Sequence, residues 1–159
     1  MADPNVRIDD KIWRKLKRKL KNVDAVSVQV GILASDGGSE QSGDSGLTLV
    51  DLATIHEYGS PARNIPERSF IRRTFSMKEK ELVEVTTKIA KKIIEADMPV
   101  EKGLNILGLW GSTEVKKMVK SGPHIPPPLK PATVAAKGST RPLVDTGQMI
   151  NAVTWRLDK

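Results

Sequence analysis

AVSVQVGILA, residues 25–34, puts Val26, Val28, Val30 and Ile32 on one side of an extended chain and Ser27, Gln29 and Gly31 on the other. This is the period-two pattern of a half-buried strand. A second alternation closes the sequence, with Val153, Trp155 and Leu157 set against Thr154, Arg156 and Asp158. Between them the period changes. Residues 69–97 carry Phe70, Met77, Leu82, Val85, Ile89 and Ile93 roughly on one face with Lys and Glu on the other, which predicts one long helix ended by Met98-Pro99. Residues 100–120 predict a second, through Val100, Leu104, Leu107, Val115 and Met118, with Gly103, Gly108 and Gly111 available for close packing.

Shorter elements follow from local chemistry. A short helix is expected from about Leu49 to just before Gly59 and Pro61. Residues 35–46, rich in Ser, Gly and Asp, read as a flexible loop. From His124 to Pro131 the run of prolines demands an extended arm within a 122–142 connecting stretch. One helical turn is expected over 132–136, and Asp145-Thr146-Gly147-Gln148 starts another short helix. The sum is an α+β fold. An antiparallel sheet is expected to be packed by an N-terminal amphipathic helix and a long helical hairpin, with an extended Pro-rich arm, all within one domain spanning 1–159. Two strands alone make a marginal sheet, so further strands are expected from loops or from another chain.

The 159 residues hold 26 Lys+Arg and 19 Asp+Glu, for a net charge of +7, and a pI near 9.7. Lys11, Arg14, Lys15, Lys17, Arg18, Lys19 and Lys21 account for the whole excess, in a stretch without an acid. Ile8, Ile12, Leu16 and Leu20 recur there every four residues, so residues 8–22 are expected to form a basic amphipathic helix whose apolar side covers the first strand. Its cations are candidates for facing an anion: a nucleic-acid backbone, a membrane surface or an acidic neighbouring subunit. The plain alternative is a solvated face. No apolar run approaches the roughly 18 residues of a membrane span, and 1–10 lack the apolar core of a signal peptide, so a soluble protein made inside the cell is expected, without membrane contact.

The sequence has no cysteine, which removes disulfides and thiolate chemistry. His56 and His124 have no metal-ligand spacing, no Gly-rich phosphate cradle follows a strand, and no serine sits in a nucleophile elbow. No enzyme activity, cofactor or metal is expected. Aromatic residues make up 4% of the chain and do not interleave with the basic run, which disfavours a base-stacking platform.

Three segments are more specified than surface loops require. They are Ile55-His56-Glu57-Tyr58-Gly59-Ser60 followed by Asn64-Ile65-Pro66-Glu67-Arg68-Ser69-Phe70-Ile71-Arg72; residues 128–139, PLKPATVAAKGS; and residues 141–153, RPLVDTGQMINAV. Together they resemble the tail-completion and head-to-tail joining proteins of tailed bacteriophages, including the Mu-like virion-morphogenesis group. That family carries Ile-His-Glu-Tyr/Phe-Gly, Ile-Pro-x-Arg-x-Phe, Leu-x-Pro-x-Thr…Lys-Gly and Pro-Leu-x-Asp-Thr-Gly-x-Leu in this order. Met149 stands where leucine is usual, a volume-conserving change. The likeness spans about residues 25–157 and leaves the basic N-terminal segment outside.

The resemblance implies a structural virion protein, tail terminator or completion factor, assembled in the host cytoplasm. It would form a homo-oligomeric ring, a hexamer by likeness, in the phage neck between the terminal ring of the tail tube or sheath and the head-side connector, with sequence-independent contact to DNA possible in the lumen. His56, Glu57, Tyr58, Gly59, Pro66, Phe70, Asp145, Thr146 and Gly147 are then structural motif residues. Tyr58-Gly59 would stop a helix, Pro66 and Phe70 would mark a helix entry with a buried anchor, and Asp145-Thr146-Gly147 would cap a turn. Arg63, Arg68, Arg72 and Arg73, with Pro126, Pro127 and Pro128, are the candidates for inter-subunit contact. The alternative is a small basic nucleic-acid-binding protein that lays the first helix on phosphates. A third reading, an enzyme built on His56 and Glu57, requires a pocket around both.

Overall fold

A computed structural model describes residues 13–14, 17–18, 21, 26–36, 46–121, 125–138, 143 and 147–158. Its elements are β1 (Ser27–Ile32), α1 (Leu49–Tyr58), α2 (Phe70–Met77), α3 (Glu79–Glu95), α4 (Val100–Ser121), α5 (Pro131–Lys137), α6 (Gln148–Asn151) and β2 (Val153–Asp158). Single 3₁₀ turns lie at Ala34–Asp36 and Pro61–Arg63. The protein is a mixed helix-and-sheet fold in which the described strands form one small antiparallel sheet. Of the basic N-terminal segment, Trp13, Arg14, Lys17 and Arg18 are helical and exposed; Ile8, Lys11, Ile12, Lys15, Leu16, Lys19 and Leu20 lie outside the described residues.

β1 and β2 pair from Ser27↔Asp158 to Ile32↔Val153, so the two alternations meet face to face: Val28 with Leu157, Val30 with Trp155. The apolar side lies on α4. The glycines of α4 let it lie there; the N-terminal helix expected as the cover lies largely outside the described residues. A Cβ at Gly108 would overlap Trp155 and meet Val28, and one at Gly111 would lie 3.2 Å from Val30 and 3.4 Å from Phe75. Without side chains there, the helix backbone lies directly on the sheet. On its α3 side, a Cβ at Gly103 would lie 2.7 Å from Ile89 and 3.0 Å from Ile93. The other sheet face is polar: Gln29 donates to Asp158 at 3.0 Å, and Arg156 donates to Gln29 at 3.1 Å and to Ser35 at 2.7 Å.

The core collects Ala53, Phe70, Val115, Met118, Val119, Ile125, Leu143, Met149, Ile150 and Val153, with Ile32, Leu52, Ile71 and Phe75 packed against it. Phe70 is fully buried and anchors α2 as its position at the helix entry implies. The long helix expected over 69–97 is broken. Lys78 takes φ −102° and ψ 14°, separating α2 from α3. The turns on either side still close on Lys78, whose N–H donates to Thr74 at 3.0 Å and whose carbonyl accepts from Leu82 N–H at 2.8 Å. The bend leaves Met77 exposed where helical spacing places it with the core.

α1 starts on a reciprocal cap: the Thr48 hydroxyl accepts from Asp51 N–H at 3.1 Å, and the Asp51 carboxylate accepts from Thr48 N–H at 3.0 Å. The turn expected over 132–136 extends to a seven-residue helix begun by Pro131. Gly147, at φ 80°, occupies the N-cap of α6 with no side-chain bond; Asp145 and Thr146 lie outside the described residues.

Candidate functional site: the helix-entry clamp and its groove

α1 carries an acid, Glu57, in its last turn, an awkward choice, because a helix C-terminus disfavours negative charge. Tertiary structure resolves it. The N-cap of α2 is Ser69, whose side chain makes no capping bond, and the two N–H groups such a cap normally serves belong to Ile71 and Arg72. The Glu57 carboxylate takes both, Oε2 from Ile71 at 2.9 Å and Oε1 from Arg72 at 3.0 Å. One carboxylate at the end of α1 therefore caps α2 across fourteen residues of chain. Glu57 is only 5% exposed and tolerates burial because its charge is matched.

The match comes from Arg72. Its Nε donates to Glu57 Oε1 at 3.1 Å, and its Nη2 donates to the Glu57 carbonyl at 2.7 Å and to Glu67 at 2.9 Å. The hydrogen bond that Arg72 donates to Glu57 is the main cause that raises its pKa, and the charge of Glu67 adds to it. The same guanidinium lies 4.7 Å above the Tyr58 ring, and Tyr58 is 64% exposed. An arginine and a tyrosine, both held in place by neighbours, thus stand at the surface.

Between α1 and α2 the chain folds back on itself. Ser60 and Ile65 exchange backbone bonds at 2.8 and 3.0 Å around the Pro61–Arg63 turn, and Arg68 N–H donates to the His56 carbonyl at 2.7 Å. Gly59, at φ 77° and ψ 172°, makes this possible. A Cβ there would sit 2.8 Å from the Glu67 nitrogen.

Arg68 turns the opposite way from Arg72. It is 7% exposed, and its Nε and Nη2 donate to the carbonyls of Pro127 and Pro128 at 3.2 and 3.5 Å. Proline-rich chain offers carbonyls without competing amides, and a fork-shaped donor suits them. Burial lowers the Arg68 pKa. The result is a groove of about 1180 Å³ between the 58–68 loop, residues 127–133 and the start of α6, lined among others by His56, Tyr58, Pro66, Arg68, Leu129 and Met149.

The expected contact residues thus separate. Arg63 and Pro126, Pro127 and Pro128 are exposed, Arg72 is exposed but bound to Glu57 and Glu67, and Arg73 is half-buried. The Arg73 Nε has no hydrogen-bond partner among the described residues. Arg68 is buried and held by its own chain's carbonyls, and it lines the groove. Pro66 does not open α2, which starts four residues later. Of the basic run, Lys17 lies 5.1 Å over the Trp13 ring, and Arg14, Arg18 and Lys21 are exposed. His56 lines the groove whereas Glu57 does not, so the pair an enzyme reading requires is divided: the carboxylate serves α2. Among the described residues no three His, Asp or Glu side chains group to hold a metal, and no helix is long and apolar enough to cross a membrane.

Sequence reasoning missed the cap made by Glu57 and the strap held by Arg68. An acid in the last turn of α1 was the available signal for the first; nothing local signals the second. Compared with known proteins, the chain matches no family model, no curated protein and no solved structure.

Proposed function

We propose that this chain is a structural protein of a tailed-phage particle, a subunit of a homo-oligomeric ring that completes the tail and joins it to the head connector. One observation carries the reading. The segments that bear the family likeness meet around one groove: Tyr58 and Gly59 from the first, Pro66 to Arg68 from the next, Pro128 to Thr133 from the third and Leu143 with Gly147 to Met149 from the fourth. Their polar side chains are spent on the backbone of neighbouring segments, Glu57 on α2 and Arg68 on residues 127–128, as expected where motifs shape a surface and do no chemistry. The exposed Tyr58 and Arg72 beside the groove are the residue types that anchor protein interfaces. In this reading the Pro-rich segment is an arm that a neighbouring subunit contacts, and six copies close the ring.

The test is negative-stain imaging of the purified protein with and without tails. Discrete rings, alone or on tail ends, are the expected result; monomers that never join tails overturn the reading. Charge reversal at Lys15, Arg18 and Lys19 addresses the basic segment. Unchanged assembly and infectivity make it a solvated face, whereas nucleic-acid affinity that falls steeply with salt in the isolated protein supports the phosphate-binding alternative.

A further inference from the structure

α3 carries two apolar stripes, and the fold uses one. Ile89 is buried and, with Ile93, lies against Gly103 of α4. The second stripe is Val83, Thr87, Ala90 and Ile94, all exposed, Val83 at 60% and Ile94 at 55%. Its spacing of four, three and four residues is that of a coiled-coil seam. Thr87 suits such a seam, because its hydroxyl donates to the Val83 carbonyl at 2.7 Å and leaves the methyl outward.

The charges along one flank of this seam decide the occupant. Lys80, Glu84, Lys91 and Glu95 are all exposed and fall on the same side of it. Turned about a two-fold axis between Thr87 and Ala90, a second α3 sets Val83 against Ile94 and Thr87 against Ala90 across the seam. The same rotation brings Glu84 opposite a lysine at 91 and Lys80 opposite a glutamate at 95, each pair occurring twice. In a parallel pair this flank faces the other flank of the partner helix, so these four charges would not meet one another. Within the chain, Glu84–Lys88 at 3.9 Å and Lys91–Glu95 at 4.0 Å are long, exposed pairs, which cost little to rearrange.

We infer that this face of α3 docks a second copy of the chain, antiparallel, through the Val83–Ile94 seam and reciprocal 84–91 and 80–95 ion pairs. A two-fold contact joins two copies and cannot close a ring, so it is additional to any ring contact and does not depend on the phage reading. The seam is about 16 Å long, which places the contact among small, reversible interfaces.

Sedimentation equilibrium of the full chain tests it, over roughly 1 to 500 µM. The wild type is expected to show a reversible dimer, and Ile94→Asp to remain monomeric with an unchanged circular-dichroism spectrum. Glu84→Lys is expected to weaken the dimer about tenfold, through two unlike pairs made alike. Glu84→Lys with Lys91→Glu is expected to recover it, because the swap restores both pairs. A wild-type chain monomeric throughout overturns the inference, including the case in which residues 8–22 of the same chain cover the stripe. A dimer insensitive to Ile94→Asp, or one the double swap does not recover, overturns it as well. Rings on tails without this dimer leave the proposed function standing; the dimer without rings does the reverse.

Discussion

The carboxylate of Glu57 and the guanidinium of Arg72 form a closed exchange: Arg72 presents its backbone N–H and its Nε to Glu57 Oε1, and returns Nη2 to the Glu57 carbonyl at 2.7 Å. Two consecutive helices are thereby joined end to start, through charges that complement the first turn of α2.

Removing the carboxylate tests this joint. Glu57→Ala leaves the Ile71 and Arg72 backbone N–H groups and the Arg72 Nε without their acceptor and is expected to cost about 3 kcal/mol. Glu57→Gln keeps one acceptor oxygen and loses the charge, for roughly half that. Chemical denaturation midpoints at unchanged m-value provide the measurement, and equal stability of all three proteins would refute the cap.

Gly59 and Gly138 both have positive φ, and their surroundings set them apart. At Gly59 the added Cβ meets backbone of residues 65 and 67, while at Gly138 nothing lies within 4 Å. Gly59→Ala is expected to cost more than about 2 kcal/mol, because backbone must move as well as strain. Gly138→Ala is expected to cost about 1 kcal/mol from its φ alone. Thermal unfolding of the two variants side by side is sufficient to rank them.

The glycines of α4 differ in the same manner. Gly108→Ala drives a methyl into Trp155 and is expected to destabilise by about 1 to 3 kcal/mol, with a changed near-ultraviolet dichroism as the ring leaves Asn105, to which its Nε1 donates at 3.3 Å. At Gly111 the nearest atoms are side-chain termini beyond 3 Å. There the gain in helix propensity, about 1 kcal/mol, offsets the crowding, and Gly111→Ala is expected to be near neutral.

Asp51 supplies a pH dependence. Its hydrogen bonds from the Thr48 side chain and backbone hold its pKa below the usual carboxylate value. A depressed native pKa adds stability that is fully present above the unfolded value, about 3.9, and is lost as pH falls through the lower native one. Melting temperatures are therefore expected to fall with acid in that window by more in the wild type than in Asp51→Asn. Parallel curves for the two proteins would argue against the contribution.

Periodicity located α4 over nearly its full length and both strands, because each buries one face against the rest of the fold, and the Gly59 and Pro61 stop located α1. Local rules do not reach further. Nothing in residues 69–97 marks Lys78 as a bend, since no Gly or Pro interrupts the stretch and the break shows only in the backbone angles of Lys78. The apolar face of β1 was legible but its cover was not, because Gly108 and Gly111 signal room for close packing without saying which element fills it. The same holds for the site. Glu57, Arg68 and Arg72 are visible as charged residues in specified motifs, yet their partners lie up to 60 residues away. What the sequence by itself determined is which residues form helix and strand and where the net charge sits, since both depend on near neighbours. Only the tertiary structure decided which acid caps a helix, which arginine is buried beneath the proline segment and which stripe of α3 stays exposed, because each depends on groups that folding alone brings within hydrogen-bond or van der Waals reach.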